Sequence, residues 1–102
     1  MKQYTINATP ERYDVSEEEN STRHNGYAAV VSEVLAMYGI DGFTIYEVVG
    51  YWQGERERSY KIEVLTDKSF DVMVEVAEQL RRQYNQDAVI LTCGDIVKFV
   101  ER

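Results

Sequence analysis

The chain has 102 residues, a formal net charge of −7 and a sequence pI near 4.6. That length suits a single domain, residues 1–102, and the acidic balance argues against a nucleic-acid groove, which needs clustered Lys and Arg to neutralise phosphates. A lone cysteine, Cys93, excludes an internal disulfide, and no apolar run nears membrane-spanning length, so the expectation is a soluble protein of a reducing cytoplasm with no membrane partner.

In chain order, "QYTINAT" (residues 3–9) alternates Tyr4, Ile6 and Ala8 with polar neighbours, the pattern of a short strand that Pro10 ends. Residues 10–25 are polar and mostly acidic with no period, which reads as a loop, functional or disordered at that length. "NGYAAVVSEVLAMYG" sets Tyr27, Val31, Val34 and Tyr38 on one helical stripe, with Asn25 as its cap and Gly39 at its end. "GFTIYEVVGYWQ" is β-branched and aromatic, and "RSYKIEVLT" returns antiparallel to it. Gly54 serves the connection, and Glu55 and Arg56 form its solvated tip. Asp67 or Ser69 then caps a second helix that repeats Met73, Ala77, Leu80 and Tyr84. "AVILTCGDIVKFV" is a closing strand interrupted near Gly94.

The resulting order is β-α-β-β-α-β, an α+β ferredoxin-like sandwich: a four-stranded antiparallel sheet with two helices on one face. In the strand of residues 43–52, Phe43, Ile45, Val49 and Tyr51 share one side and Tyr46, Val48 and Trp52 the other. Neither side is polar. A sheet with two apolar faces and one layer of helices needs a partner chain, and eight tyrosines suit such an interface, so a homo-oligomer is expected.

Strand parity places Glu57, Ser59, Lys61 and Glu63 opposite to Arg58, Tyr60, Ile62 and Val64. Tyr60, Ile62 and Val64 belong to the helix side, which turns Glu57 and Ser59 to the open side. Glu57 is then either a solvated carboxylate paired with an arginine or part of a site. Trp52 and Tyr46 pack at an interface or stack on a planar ligand, and the two are compatible because subunit interfaces make good clefts. His24, the one histidine, is weak support for a metal, and there is no glycine-rich phosphate loop or evident nucleophile–base pair.

"TRHNGYAAVVSEVLAMYG", "GYWQGERERSYKIEV" and "QLRRQYNQDAVIL" together resemble the bacteriophage-encoded S-adenosylmethionine lyases, long called S-adenosylmethionine hydrolases. The pattern is an Arg-His before the first helix, a Gly and aromatics at a strand end, a Glu two residues before a Ser, and a Gln-Asp-x-Val after the second helix. It falls on Arg23-His24, Gly50-Tyr51-Trp52, Glu57-Arg58-Ser59 and Gln86-Asp87-Ala88-Val89, within residues 22–91. The resemblance implies a homotrimer of P-II-like subunits, acting in the host bacterial cytoplasm and binding its substrate in clefts between subunits. It implies cleavage of S-adenosylmethionine to methylthioadenosine and homoserine lactone, which depletes the cofactor of host restriction and methylation enzymes.

Under that resemblance Glu57 and Tyr46 are catalytic, and Trp52, Ser59, Gln86, Asp87, Arg23 and His24 bind substrate. The substrate's own carboxylate attacks its γ-carbon, so no cofactor or metal is required. Were the reaction hydrolysis, Glu57 would be a general base activating water. A P-II-like regulatory trimer that binds an adenine nucleotide without chemistry is the alternative from another class, and an acidic interaction protein or DNA mimic a third.

Overall fold

A computed structural model describes residues 1–102. The alternation of Tyr4, Ile6 and Ala8 becomes β1 (Lys2–Ala8), whose three apolar side chains are all buried. Two helices follow, α1 (Glu17–His24) and α2 (Tyr27–Met37). β2 (Thr44–Trp52) and β3 (Glu55–Thr66) form a long hairpin, α3 (Phe70–Gln83) crosses back, and β4 (Ala88–Cys93) and β5 (Ile96–Glu101) close the chain.

All strand pairs are antiparallel, in the order β2-β3-β1-β4-β5. The buried stripe of α2 (Tyr27, Val31, Val34, Leu35) and that of α3 (Met73, Val76, Ala77, Leu80) lie on one sheet face, over Tyr4, Ile6, Ile62, Val64, Val89 and Leu91. Each of the aliphatic side chains fully removed from water contributes about 1.5–3 kcal/mol. Truncating one, as in Ile62→Ala, costs about 2–5 kcal/mol because the cavity closes only partly.

Local chemistry sets the helix ends. Ser69 caps α3 by accepting from the Val72 amide at 3.3 Å. α2 and α3 both finish in the same backbone motif, with Gly39 and Asn85 at positive φ. The Ile40 amide donates to the Leu35 carbonyl at 3.0 Å, and the Gln86 amide donates to the Arg81 carbonyl at 2.9 Å. Those bonds satisfy carbonyls that a helix end leaves free. The second of them fixes where Gln86 sits.

Four sequence expectations change. The polar stretch 10–25 contains α1: the Ser16 hydroxyl accepts from the Glu19 amide at 3.0 Å, and Glu17, Glu18 and Glu19 complement the helix dipole. The helix has no apolar stripe because only His24 is buried, so periodicity could not reveal it. Asn25 closes α1, and Gly26, at φ 77°, opens α2.

The closing strand is a hairpin of two, turning at Gly94-Asp95 with Gly94 at φ 58° and Cys93 paired to Ile96. The sheet therefore has five strands and the fold three helices, against the four and two expected. The β2–β3 turn is Gln53-Gly54, both at positive φ as a type I′ hairpin turn requires, so Glu55 and Arg56 already belong to β3, opposite Trp52 and Tyr51.

The β2–β3 hairpin extends past the helices. Ile45 packs on the core, whereas Val49 and Tyr51 on the same side are 55% and 70% exposed. The opposite sheet face has no helices. Tyr46, Val48 and Trp52 line one edge of it and Val97 and Phe99 the other, with Thr5, Asn7, Lys61 and Thr92 between them.

Candidate active site

At the hairpin end of the open face, Gly50 pairs with Glu57 and Val48 with Ser59. Ser59 is buried, and its hydroxyl donates to the Glu57 carboxylate at 3.2 Å. The close approach depends on Gly50, since a Cβ there would lie 2.8 Å from the Ser59 Oγ. Burial pushes the Glu57 pKa up; the Ser59 hydrogen bond works against this and the negative charge of Glu11 adds to it. No ion pair of the chain involves Glu57: its neighbour Arg58 pairs with Glu47 on the opposite side of the hairpin, at 2.8 Å. A half-buried carboxylate with no cation of its own is suited to receiving one from a ligand.

Tyr46 shares the open face with Glu57 but stands four strand positions from Gly50, roughly 13 Å at strand spacing. Its hydroxyl faces Glu63, whose carboxylate raises the Tyr46 pKa. Tyr46 lines a shallow hollow of about 320 Å³ with Gln3, Phe43, Thr44, Glu63 and Leu65. A larger depression, about 510 Å³, lies farther along, beside Met1, Ile40 and Lys68. Neither contains Glu57. Trp52, 43% exposed, is on the Glu57 side of the face, one position from the turn.

Arg23, His24 and Gln86 gather elsewhere, at the end of the sheet on the helix side. His24 is buried with both ring nitrogens engaged: Nε2 to Glu11 at 2.7 Å and Nδ1 to the Tyr60 hydroxyl at 2.9 Å. A neutral ring protonated on Nε2 satisfies both, donating to the carboxylate and accepting from the phenol. Tyr60 stacks on Tyr27 with centroids 4.7 Å apart, and Tyr27 meets Tyr84 edge-on. Burial raises the Tyr27 pKa strongly.

Arg23 donates to the Pro10 carbonyl at 2.5 Å and to the Tyr84 carbonyl. The Gln86 side chain donates to the Glu11 carbonyl at 2.7 Å. Asp87 stands apart at the surface, paired with Arg102 at 3.2 Å.

The candidates therefore form two groups, Glu57, Ser59, Trp52 and, farther off, Tyr46 on the open face, and Arg23, His24 and Gln86 behind it. What joins them is the segment Thr9–Glu11, which the sequence reading passed over. Thr9 and Glu11 carry no periodic or motif signal; Pro10 marked only the end of a strand.

The architecture is an α+β class: a five-stranded antiparallel sheet, helices against one face, and a carboxylate on the uncovered face. Solved proteins with this fold include a phage SAM lyase in the apo state, with a TM-score of 0.63 and 15% identity over 98% of this chain and 88% of that one. Another is a phage SAM lyase in complex with S-methyl-5'-thioadenosine, at TM-score 0.62 and 16% identity, with the same coverage. The chain thus shares the fold of solved members of the family whose motifs its sequence resembles. No family profile and no curated protein sequence matches the chain.

Proposed function

We propose that the protein is an S-adenosylmethionine lyase. The observation that carries the reading is Glu57, a half-buried carboxylate without a cation partner on the open face of a fold shared with phage SAM lyases. One of those lyases holds methylthioadenosine, the nucleoside product of such a cleavage.

The reaction asks little chemistry of the protein. One oxygen of the substrate carboxylate bonds to the γ-carbon, the carbon–sulfur bond breaks, and its electron pair returns to sulfur. The products are homoserine lactone and neutral methylthioadenosine; no water is consumed and no proton moves. Holding the methionine part folded for attack can supply several kcal/mol. Glu57, backed by Ser59, attracts the ammonium or sulfonium and leaves the carboxylate free to attack. Trp52 offers a face for adenine, and Tyr46 a hydroxyl along the same strand.

The active form is a homotrimer with the cleft between subunits. The open face supports this, because its apolar edges (Tyr46, Val48 and Trp52; Val97 and Phe99) are uncovered in the single chain. Acting in a bacterial host, the enzyme would lower S-adenosylmethionine and blunt restriction and methylation.

The test is incubation with S-adenosylmethionine and chromatography for methylthioadenosine, run in ¹⁸O-water. Methylthioadenosine with unlabelled lactone as first product supports the lyase. Label in first-formed homoserine would make the enzyme a hydrolase with Glu57 as base, and binding without product would make it a regulatory trimer.

A further inference from the structure

Thr9–Pro10–Glu11 leaves β1 and crosses the end of the sheet beside the Glu57 end of β3. It is fastened on both sides. In front, the Thr9 hydroxyl donates to the Arg58 carbonyl at 2.6 Å and accepts from the Glu11 amide at 3.1 Å. Behind, Arg23 holds the Pro10 carbonyl, Gln86 the Glu11 carbonyl and His24 the Glu11 carboxylate. Thr9, His24 and Gln86 are all buried. The Arg58 carbonyl belongs to the Arg58–Ser59 peptide, in the middle of the three-residue stretch whose outer side chains, Glu57 and Ser59, form the pair on the open face.

We propose that this segment is a strap that positions Glu57 and Ser59, so that Arg23, His24 and Gln86 act on the site through Thr9 and Glu11 and do not touch substrate. The inference deepens the lyase reading and rests on it for its kinetic arm. Its physical logic is order. A Thr9 tied to three elements (β3 in front, α1 and the α3–β4 turn behind, through its neighbours) fixes the backbone at Arg58 more tightly than the hairpin can, since the hairpin lacks helix cover there. The Glu11 charge is also held near Glu57, where it adds to the rise in that carboxylate's pKa. The charged groups around Glu57 are Glu11 on the strap, Glu55 and Lys61 on the same face of its own strand, and Arg56 and Arg58 on the far side of that strand; β2 presents only Val48, Gly50 and Trp52 there. His24 faces Glu11, Tyr60 and, from its own helix, Arg23.

Two conservative variants test the strap in the full chain. Thr9→Val removes the hydroxyl at constant shape, and Glu11→Gln removes the charge while keeping an acceptor for His24. Circular dichroism and thermal melting establish that both fold. With S-adenosylmethionine as substrate, Thr9→Val is expected to lower kcat about tenfold with KM nearly unchanged, and Thr9→Ser to restore it. Glu11→Gln is expected to lower the titration midpoint of Glu57, read by carboxyl ¹³C NMR on the free protein.

A raised KM at intact kcat would mean that these residues contact substrate, and unchanged kinetics with an unmoved Glu57 midpoint would mean no coupling; either overturns the proposal. If the wild-type chain forms no methylthioadenosine, the lyase reading fails by itself. The NMR midpoint and the effect of Thr9→Val on Ser59 and Glu57 resonances then decide the strap alone.

Discussion

Gly50 and Glu57 face each other across the β2–β3 ladder, and the side chain that Gly50 lacks is the space that the Ser59 hydroxyl fills on its way to the Glu57 carboxylate. A backbone position thereby controls a site of side chains. Gly50→Ala would bring a Cβ to 2.8 Å from the Ser59 Oγ, too close for both to remain. The expected outcome is a loss of about 1–3 kcal/mol from overpacking and a clear fall in methylthioadenosine formation. In Gly50→Ala/Ser59→Ala the melting temperature recovers, because the clash is gone, while activity stays low. Melting curves and product chromatography on the wild type and the two variants check this.

Glu57→Gln separates chemistry from binding and has a signature in stability. Since folding raises the Glu57 pKa, ionising this group opposes folding. Its stabilising contribution is complete below the ordinary carboxylate pKa and is lost as pH rises through the raised value. Glu57→Gln should therefore melt higher than wild type at pH 7, and the difference should vanish toward pH 3 to 4. Product formation should be abolished, with methylthioadenosine binding retained by calorimetry.

Trp52 is the chain's only tryptophan and lies on the open face near Glu57. Its fluorescence should change on titration with methylthioadenosine, and Glu57→Gln should respond similarly. Trp52→Ala should weaken methylthioadenosine binding by about 1–3 kcal/mol, the range for losing an aromatic stacking partner of a base. An unaltered binding isotherm would move adenine elsewhere on the face.

Ser16→Ala should destabilise α1 by about 1 kcal/mol, because the hydroxyl that accepts from the Glu19 amide is lost. Amide exchange over residues 17–24 should speed up first. The same helix carries Arg23 and His24, so the strap should loosen along with it.

Glu78 forms a fork with Arg81 at 2.5 and 3.0 Å, and Arg81 also donates to the Gln86 carbonyl at 3.0 Å. The Arg81 hydrogen bonds hold the Glu78 pKa below the ordinary carboxylate range. That contribution is present above the unfolded-state pKa and lost as pH falls through the folded one. Acid unfolding should accordingly begin at higher pH in Arg81→Met than in wild type. At neutral pH the variant should lose about 1–3 kcal/mol in urea melts, since the buried Gln86 carbonyl loses its donor while Glu78 keeps Arg82.

Local pattern carried far in this chain. Alternation and helical stripes are properties of neighbouring residues, so β1 to β4, the two apolar helices and the parity that turns Glu57 and Ser59 outward could be read along the sequence. α1 was hidden because a polar helix with one buried residue leaves no stripe, although Ser16 and Glu19 stand at capping distance. β5 was hidden because one two-residue turn at Gly94 looks, in sequence, like an interruption.

By itself, then, the sequence determined the order of the main elements, the open face and the resemblance that singles out Glu57. Only the tertiary structure decided which of the motif residues meet. His24 reaches Tyr60 across 36 positions and Gln86 reaches Glu11 across 75, and hydrogen bonds over such separations depend on how the chain crosses the end of the sheet. No local period records that crossing. It is why Arg23 reaches Pro10, and His24 and Gln86 reach Glu11, behind the sheet, while Tyr46 and Glu57, eleven positions apart in sequence, stand well separated on its open face.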